Sequence, residues 1–109
     1  SNLAKQELLG VRDITLASHG AVSAETVAEM ALGALARSPA NMSIAISGIA
    51  GPGGALPNKS VGTVWLAWAL RDGALFTAQH HFLGDRAAVR QQAVSAALQG
   101  VSVILQQVQ

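Results

Sequence analysis

The spacing of apolar and polar residues divides the chain into helices and strands in a clear order. Residues 2–9 have helical spacing and predict a short helix, and residues 13–19 predict a further turn of helix. Ser23 is a good N-cap residue, and the apolar stripe that follows it predicts a helix that Pro39 ends. The first third of the chain is therefore expected to be helical.

The middle of the chain has the patterns of β-strands. Residues 42–47 alternate between large apolar and small side chains, which predicts a strand whose small-residue face lies close to a helix. Residues 61–70 are apolar on both faces, as expected for a central strand that is covered on both sides. Asp72-Gly73 is a typical hairpin turn, so residues 75–83 should return antiparallel.

A long helix is expected at the end of the chain, from an N-cap at Asp85 to about residue 108. We expect its inner face to consist of Val94, Leu98, Val101, Leu105 and Val108. Its outer face would then consist of Gln92, Ser95, Gln99, Ser102, Gln106 and Gln109. Glutamine is easier to bury than a charged residue, so this polar face suits contact with another subunit. We predict an α/β or α+β sheet with helices packed on it.

Composition narrows the possible functions. Half of the 109 residues are apolar, only 12% are charged, and there is no cysteine. These values exclude a disordered chain, a disulfide scaffold and cysteine catalysis. The net charge of +1 does not favour nucleic acid as a partner, and no apolar run is long enough to suggest a membrane span. We expect a single cytoplasmic domain that forms a homodimer or a higher homo-oligomer.

The glycine-rich stretch from Ser47 to Gly54 directly follows a predicted strand. Glycines at such a place allow backbone amides to point at an anion or a developing oxyanion. The stretch matches neither a Walker A motif nor a dinucleotide-binding fingerprint. From chemistry alone, a binding site and an ordinary surface turn are equally good interpretations.

Two arginines at the start of the last helix are the second candidate. Arg86 lies in the first turn, where the helix dipole disfavours a cation, and Arg90 lies four residues further on the same face. This arrangement suggests an anion such as a phosphate, held by both guanidinium groups. The alternative is a pair of solvent-facing arginines.

Other reactive side chains give weaker signals. Lys5 has leucines and no acidic residue at helical spacing, and a drier environment there would lower its pKa toward that of a base, although most such lysines only extend to water. His80 and His81 would point to opposite faces of a strand and could not chelate a metal together. We expect neither a metal nor a cofactor. Trp65 and Trp68 also fall on opposite faces and suit a core or an interface.

Six segments together resemble one known family, the CinA C-terminal domain or nicotinamide-nucleotide amidase family. The matching motifs, in chain order, are Ser1-Asn2-x-x-Lys5, His19-Gly20-Ala21-Val22-Ser23, Met30-Ala31-x-Gly33-Ala34, Ser47-Gly48-Ile49-Ala50-Gly51-Pro52-x-Gly54, Val61-Gly62-Thr63-Val64-Trp65 and Gly84-Asp85-Arg86-x-x-Val89-Arg90. The resemblance implies a three-layer α/β sandwich, with a mixed sheet and helices on both faces.

The resemblance also implies an activity, the hydrolysis of nicotinamide mononucleotide to nicotinate mononucleotide and ammonia. The chemistry would be of the Ser–Lys type, in which a serine attacks the amide and a lysine is the base. Lys5 matches the lysine of the family motif Tyr-Ser-Asn-x-x-Lys and becomes the catalytic candidate. The resemblance implies further that the substrate is bound by Asn2, Ser47, Gly48, Gly51, Arg86 and Arg90.

This sequence departs from the family pattern in three places. The nucleophilic serine of the family lies in an upstream motif, Glu-Ser-Cys-Thr-Gly-Gly, which does not occur in these 109 residues. The tyrosine of Tyr-Ser-Asn is absent, and Ser60 stands where the family usually has proline in Lys-Pro-Val-Gly. We therefore expect an N-terminally incomplete domain that is inactive by itself. The alternative function is a non-catalytic nucleotide-binding or interaction module of the same fold.

Overall fold

The structure is a computed structural model that describes residues 10–48 and 62–107. It contains helices α1 (Asp13–His19), α2 (Ala24–Ala36) and α3 (Arg86–Gln107), and strands β1 (Met42–Gly48), β2 (Thr63–Leu70) and β3 (Leu75–His81). The predicted element order is confirmed for this part of the chain. The helix predicted at residues 2–9 and the glycine-rich loop after β1 lie outside the described residues.

The three described strands form one antiparallel sheet in the order β1-β2-β3. The hairpin turn is confirmed, because the backbone N–H of Leu70 donates to the Ala74 carbonyl at 2.9 Å and Gly73 has a φ of +103°. The Asp72 carboxylate closes the turn by accepting a bond from the Ala74 N–H at 2.8 Å. The mixed pairing that we expected is not present among these three strands.

Helices cover both faces of β2, which confirms the three-layer arrangement and the central position of this strand. On one face, the core is formed by Val27, Ala31, Leu35, Ala45, Ala67 and Ala69. The alanines let α2 approach closely, so that the Ser43 hydroxyl on β1 donates to the Ala31 carbonyl at 2.6 Å. The Ser23 side chain caps α2, as predicted, by accepting a bond from the Thr26 N–H at 3.1 Å.

The other face of the sheet packs against α3, and most of the α3 residues in this contact are not the ones that we predicted. Its core is formed by Val64, Leu66, Trp68, Val89, Ala93, Ala97 and Ile104. The Trp68 indole N–H donates to the Ala97 carbonyl at 3.0 Å. A Cβ at Gly100 would lie only 2.2 Å from Cζ2 of Trp68. The large indole ring therefore needs the small residues of α3 against it, and the alanine–glycine face of the helix turns inward.

The predicted inner face of α3 is consequently wrong. Val94, Leu98 and Leu105 are 52%, 62% and 46% exposed, and only Val101 packs in part against the core. Val108 lies outside the described residues. Hydrophobic size alone favoured the larger side chains as the inner face, but close packing against a tryptophan selects small ones. We call Val94, Leu98 and Leu105 the α3 flank.

An ion pair fixes α1 on α2. The Arg12 guanidinium lies 3.0 Å from a Glu29 carboxylate oxygen, and the Arg12 backbone N–H donates to the other oxygen at 2.8 Å. The Thr15 hydroxyl also donates to this carboxylate. Burial by itself would raise the pKa of Glu29, but these hydrogen bonds and the guanidinium charge lower the pKa overall.

None of the described helices is long and apolar enough to cross a membrane.

The close contact of Trp68 predicts that Gly100→Ala destabilises the fold. Alanine should favour a helix by about 1 kcal/mol over glycine, but the clash with the indole should cost more than this, up to about 3 kcal/mol. Urea unfolding would show the net loss. Ser102→Ala is the control, because Ser102 is exposed on the same helix. A Gly100→Ala variant as stable as Ser102→Ala would contradict this packing.

The partly buried Glu29 carboxylate predicts a pH-dependent effect of Glu29→Gln. We expect the variant to lose about 1–3 kcal/mol at pH 7, where the charged hydrogen bonds are complete. A lowered folded pKa gives stability above the unfolded pKa, and this stability is lost as the pH falls through the folded value. The difference from the parent should therefore shrink below about pH 4.

The matched control for Glu29→Gln is Glu25→Gln. Glu25 is on the same helix but exposed, and its carboxylate is 3.5 Å from His19 Nδ1. Equal losses for the two variants across this pH range, measured by thermal unfolding, would contradict a specific role of Glu29.

Candidate functional site

One end of the sandwich brings together the termini of several elements. Gly48 at the end of β1 pairs with Val64, and Val64 pairs with His80 near the end of β3. Because α3 begins at Arg86, shortly after β3 ends, its N-terminus lies at this same end. The chain thus places Ser47, Gly48, Arg86 and Arg90 at one end of the molecule.

A hydrogen bond also brings the N-terminus of α2 to this end. The Ser47 hydroxyl donates to the Ala21 carbonyl at 2.8 Å, which links the end of β1 to the loop before Ser23. Ser47 is only 9% exposed. In this arrangement its hydroxyl proton is engaged by the protein, and its role in lining a substrate pocket stays a prediction.

Two glycines at this end have no room for a side chain. A Cβ on Gly48 would lie 2.9 Å from Cγ2 of Val64 and 3.2 Å from the Thr63 carbonyl. Gly62 has a φ of +92°, and a Cβ there would lie 2.2 Å from the Phe82 carbonyl. The close approach of neighbouring backbone therefore explains why both of these motif positions are occupied by glycine. A binding role for Gly48 is additional to this and stays a prediction.

Asp85 caps α3 as predicted, since its carboxylate accepts a bond from the Ala88 N–H at 2.9 Å. Arg86 and Arg90 are both exposed just beyond this cap. Among residues 10–48 and 62–107, neither guanidinium group takes part in an ion pair. The two side chains are therefore available for an anionic ligand, which is the chemistry that the sequence suggests.

Three of the proposed site residues, Asn2, Lys5 and Gly51, lie outside the described residues. The catalytic role of Lys5 and the binding roles of Asn2 and Gly51 stay predictions.

A cleft that the sequence did not reveal opens beside the N-terminus of α2, with a volume of about 400 Å³. Trp65 and Gln79 form its sheet wall, and Trp65 pairs with Ser47 on the neighbouring strand. His19 and Glu25 form part of the helical wall. The cleft therefore lies next to the predicted site residue Ser47.

The sequence contains one signal for this cleft. His19 and Trp65 each belong to a segment that resembles the family, although Trp65 by itself is expected only in a core or an interface. Their convergence depends on how α2 is placed on the sheet. Spacing along the chain does not show that placement.

The other histidines have local roles. The His80 ring stacks on Phe82 with centroids 5.1 Å apart. His81 points to the opposite face of β3, as the alternating exposure of this strand shows. No group of three or more metal-binding side chains occurs in the part of the chain that the structure describes.

Curated relatives match most of this chain. A nicotinamide-nucleotide amidohydrolase PncC of Escherichia coli K12 is 54% identical over 99 residues, which cover 91% of this chain and 60% of that protein. A protein of the same name from Pseudomonas putida is 50% identical over 102 residues and is covered to 62%. The chain thus spans about three-fifths of the length of these relatives.

Solved structures show the same fold. A competence damage-inducible protein A from Klebsiella pneumoniae superposes with a TM-score of 0.95 at 44% identity, covering all of this chain and 67% of that one. A CinA superfamily protein from Escherichia coli superposes with a TM-score of 0.87 at 42% identity, covering 93% and 58%. The family model of the CinA C-terminal domain matches residues 1–105. This chain therefore belongs to the CinA C-terminal domain family.

Proposed function

We propose that this chain forms the larger part of a nicotinamide mononucleotide amidohydrolase. The observation that carries the proposal is the 54% identity to a protein named nicotinamide-nucleotide amidohydrolase. The exposed guanidinium groups of Arg86 and Arg90 support it, because a mononucleotide carries a phosphate that such groups bind well.

In the proposed mechanism, a serine hydroxyl attacks the carboxamide carbon of nicotinamide mononucleotide. Neutral Lys5 takes the serine proton and then passes it to the leaving nitrogen, so that ammonia departs and an acyl-enzyme remains. Water hydrolyses the ester and releases nicotinate mononucleotide. The serine would come from a Glu-Ser-Cys-Thr-Gly-Gly motif, which these 109 residues do not contain.

The second candidate function is a nucleotide-binding module without hydrolysis. A fold can persist without its chemistry, and the exposed arginines could hold a phosphate without a nucleophile. Both functions require binding of the nucleotide, and they differ only in whether ammonia is released.

The first prediction from this proposal is that the intact protein releases ammonia and nicotinate mononucleotide in equal amounts from nicotinamide mononucleotide. The 109-residue chain by itself should release none. Coupled ammonia assay and chromatography of the nucleotides would measure both products. Nucleotide binding without release by the intact protein would reject hydrolysis and establish the binding module.

The second prediction concerns Lys5 in the intact protein. We expect Lys5→Ala to lower kcat by at least about 100-fold, since general-base catalysis contributes this much. Lys5→Arg should be equally inactive, because arginine keeps the positive charge but does not give up its proton. An active Lys5→Arg variant would show that Lys5 supplies charge and is not the base.

The third prediction concerns the phosphate. Arg90→Ala should weaken binding of nicotinamide mononucleotide by about 10–100-fold, the equivalent of one charge-assisted hydrogen bond. Binding of nicotinamide riboside, which has no phosphate, should change little. Arg37→Ala is the control, because Arg37 is an exposed cation at the opposite end of α2. Equal losses for nucleotide and nucleoside would remove Arg90 from phosphate binding.

A further inference from the structure

The cleft beside the N-terminus of α2 combines an indole, a side-chain amide and a carboxylate. Trp65 and Gln79 lie directly opposite each other on β2 and β3, so their side chains are neighbours on one face of the sheet. Trp65 is half-buried and packs in part against the core that this face forms with α2. The cleft volume of about 400 Å³ lies in the range of about 300–1,000 Å³ that is usual for small-molecule sites.

The helical wall of the cleft is held by hydrogen bonds from side-chain hydroxyls. The Gly20 carbonyl accepts a bond from the Ser23 hydroxyl at 3.1 Å, and the buried Thr26 donates its hydroxyl to the same carbonyl. The bond from Ser47 to the next carbonyl joins this loop to β1. Three hydroxyls therefore fix the loop before α2, and such a preorganised wall favours binding of a rigid ligand.

The charge of the cleft favours a cation. Glu25 is the one Asp, Glu, Lys or Arg residue among the described residues that line it. Its carboxylate lies 3.5 Å from Nδ1 of His19, and with this histidine neutral the cleft is negative. The nearby Arg12 is paired with Glu29 and so adds no net charge. An indole also attracts positive charge to the face of its ring, so that Trp65 and Glu25 favour the same kind of ligand.

We propose that this cleft binds the pyridinium ring of nicotinamide mononucleotide, an inference that rests on the proposed function. The substrate has a positive charge in its ring and negative charge in its phosphate. The two signs match the cleft and the exposed pair Arg86 and Arg90, which lie at the same end of the molecule. The ring would lie against Trp65, with its positive charge near Glu25.

The cleft also distinguishes the substrate from the product. The side-chain amide of Gln79 has both donors and an acceptor, which suit the carboxamide that the pyridinium ring carries. Hydrolysis replaces this carboxamide by a carboxylate, which Glu25 repels. The nicotinate product should therefore be held less tightly than the substrate.

The first experiment titrates the intact protein with 1-methylnicotinamide, which has the charged ring and the carboxamide but neither ribose nor phosphate. Nicotinamide is the matched probe, because its ring is uncharged. The cation should quench the fluorescence of Trp65 and bind about 3–30-fold more tightly than nicotinamide, as a cation–π contact predicts. 1-Methylnicotinate should bind about tenfold more weakly than the amide. Equal affinity for the charged and uncharged rings, or no binding of 1-methylnicotinamide, would overturn the proposal.

Variants then assign the binding to this cleft. Glu25→Gln keeps the shape of the side chain and removes its charge, so 1-methylnicotinamide should bind about tenfold more weakly while nicotinamide changes little. Asp13→Asn is the matched control, because Asp13 is an acidic residue of α1 that does not line the cleft. Trp65→Phe should bind less tightly than the parent and Trp65→Leu least. Unchanged affinity of a folded Glu25→Gln variant would place the ring elsewhere.

Enzyme kinetics separate this inference from the proposed function. When nicotinamide mononucleotide is the substrate, 1-methylnicotinamide should inhibit competitively, and Glu25→Gln should raise KM about tenfold with little change in kcat. Ammonia release with an unchanged KM would reject the ring site and leave the proposed function intact. Absence of ammonia release would reject the proposed function, and the titrations would still decide whether the cleft binds a pyridinium ring. Inhibition that is not competitive would assign the cleft to a second pyridinium ligand and overturn its assignment to the substrate.

Discussion

The packing of Trp68 against the backbone of α3 determines much of this structure. The indole lies against Gly100, where a Cβ would come within 2.2 Å of the ring, and its N–H donates to the Ala97 carbonyl of the same helix. This contact sets the rotation of α3 about its axis and therefore decides which residues enter the core. It also places the first turn of the helix beyond the end of β3, where Arg86 and Arg90 are exposed.

The face of β2 that packs against α2 is also closely packed, but with smaller side chains. Alanines on α2, β1 and β2 bring the layers close enough for a serine hydroxyl to reach a helix carbonyl. The sheet is thus held to α2 by close backbone approach and to α3 by the large indole ring of Trp68. Both arrangements tolerate little added volume, which explains why so many small residues occur in a chain of this length.

Elements and their ends could be predicted from the sequence, because they depend on local chemistry. The caps at Ser23 and Asp85 and the turn at Asp72-Gly73 each require only neighbouring residues. The rotation of α3 could not be predicted, since its apolar residues form two stripes and only the partner ring distinguishes them. For the site, spacing predicted the two arginines at the start of α3. The cleft beside Trp65 depends on four elements, and its two helices are distant in sequence from its two strands.

Among residues 10–48 and 62–107, no strand pairs with the outer edge of β1, and this has a consequence for handling the isolated chain. A net charge of +1 provides almost no electrostatic repulsion between molecules, and the edge carries no side chain that discourages pairing. Solubility should therefore be limited by strand-to-strand association more than by unfolding. Protein concentration and ionic strength would then determine how quickly a sample aggregates, even while every molecule remains folded.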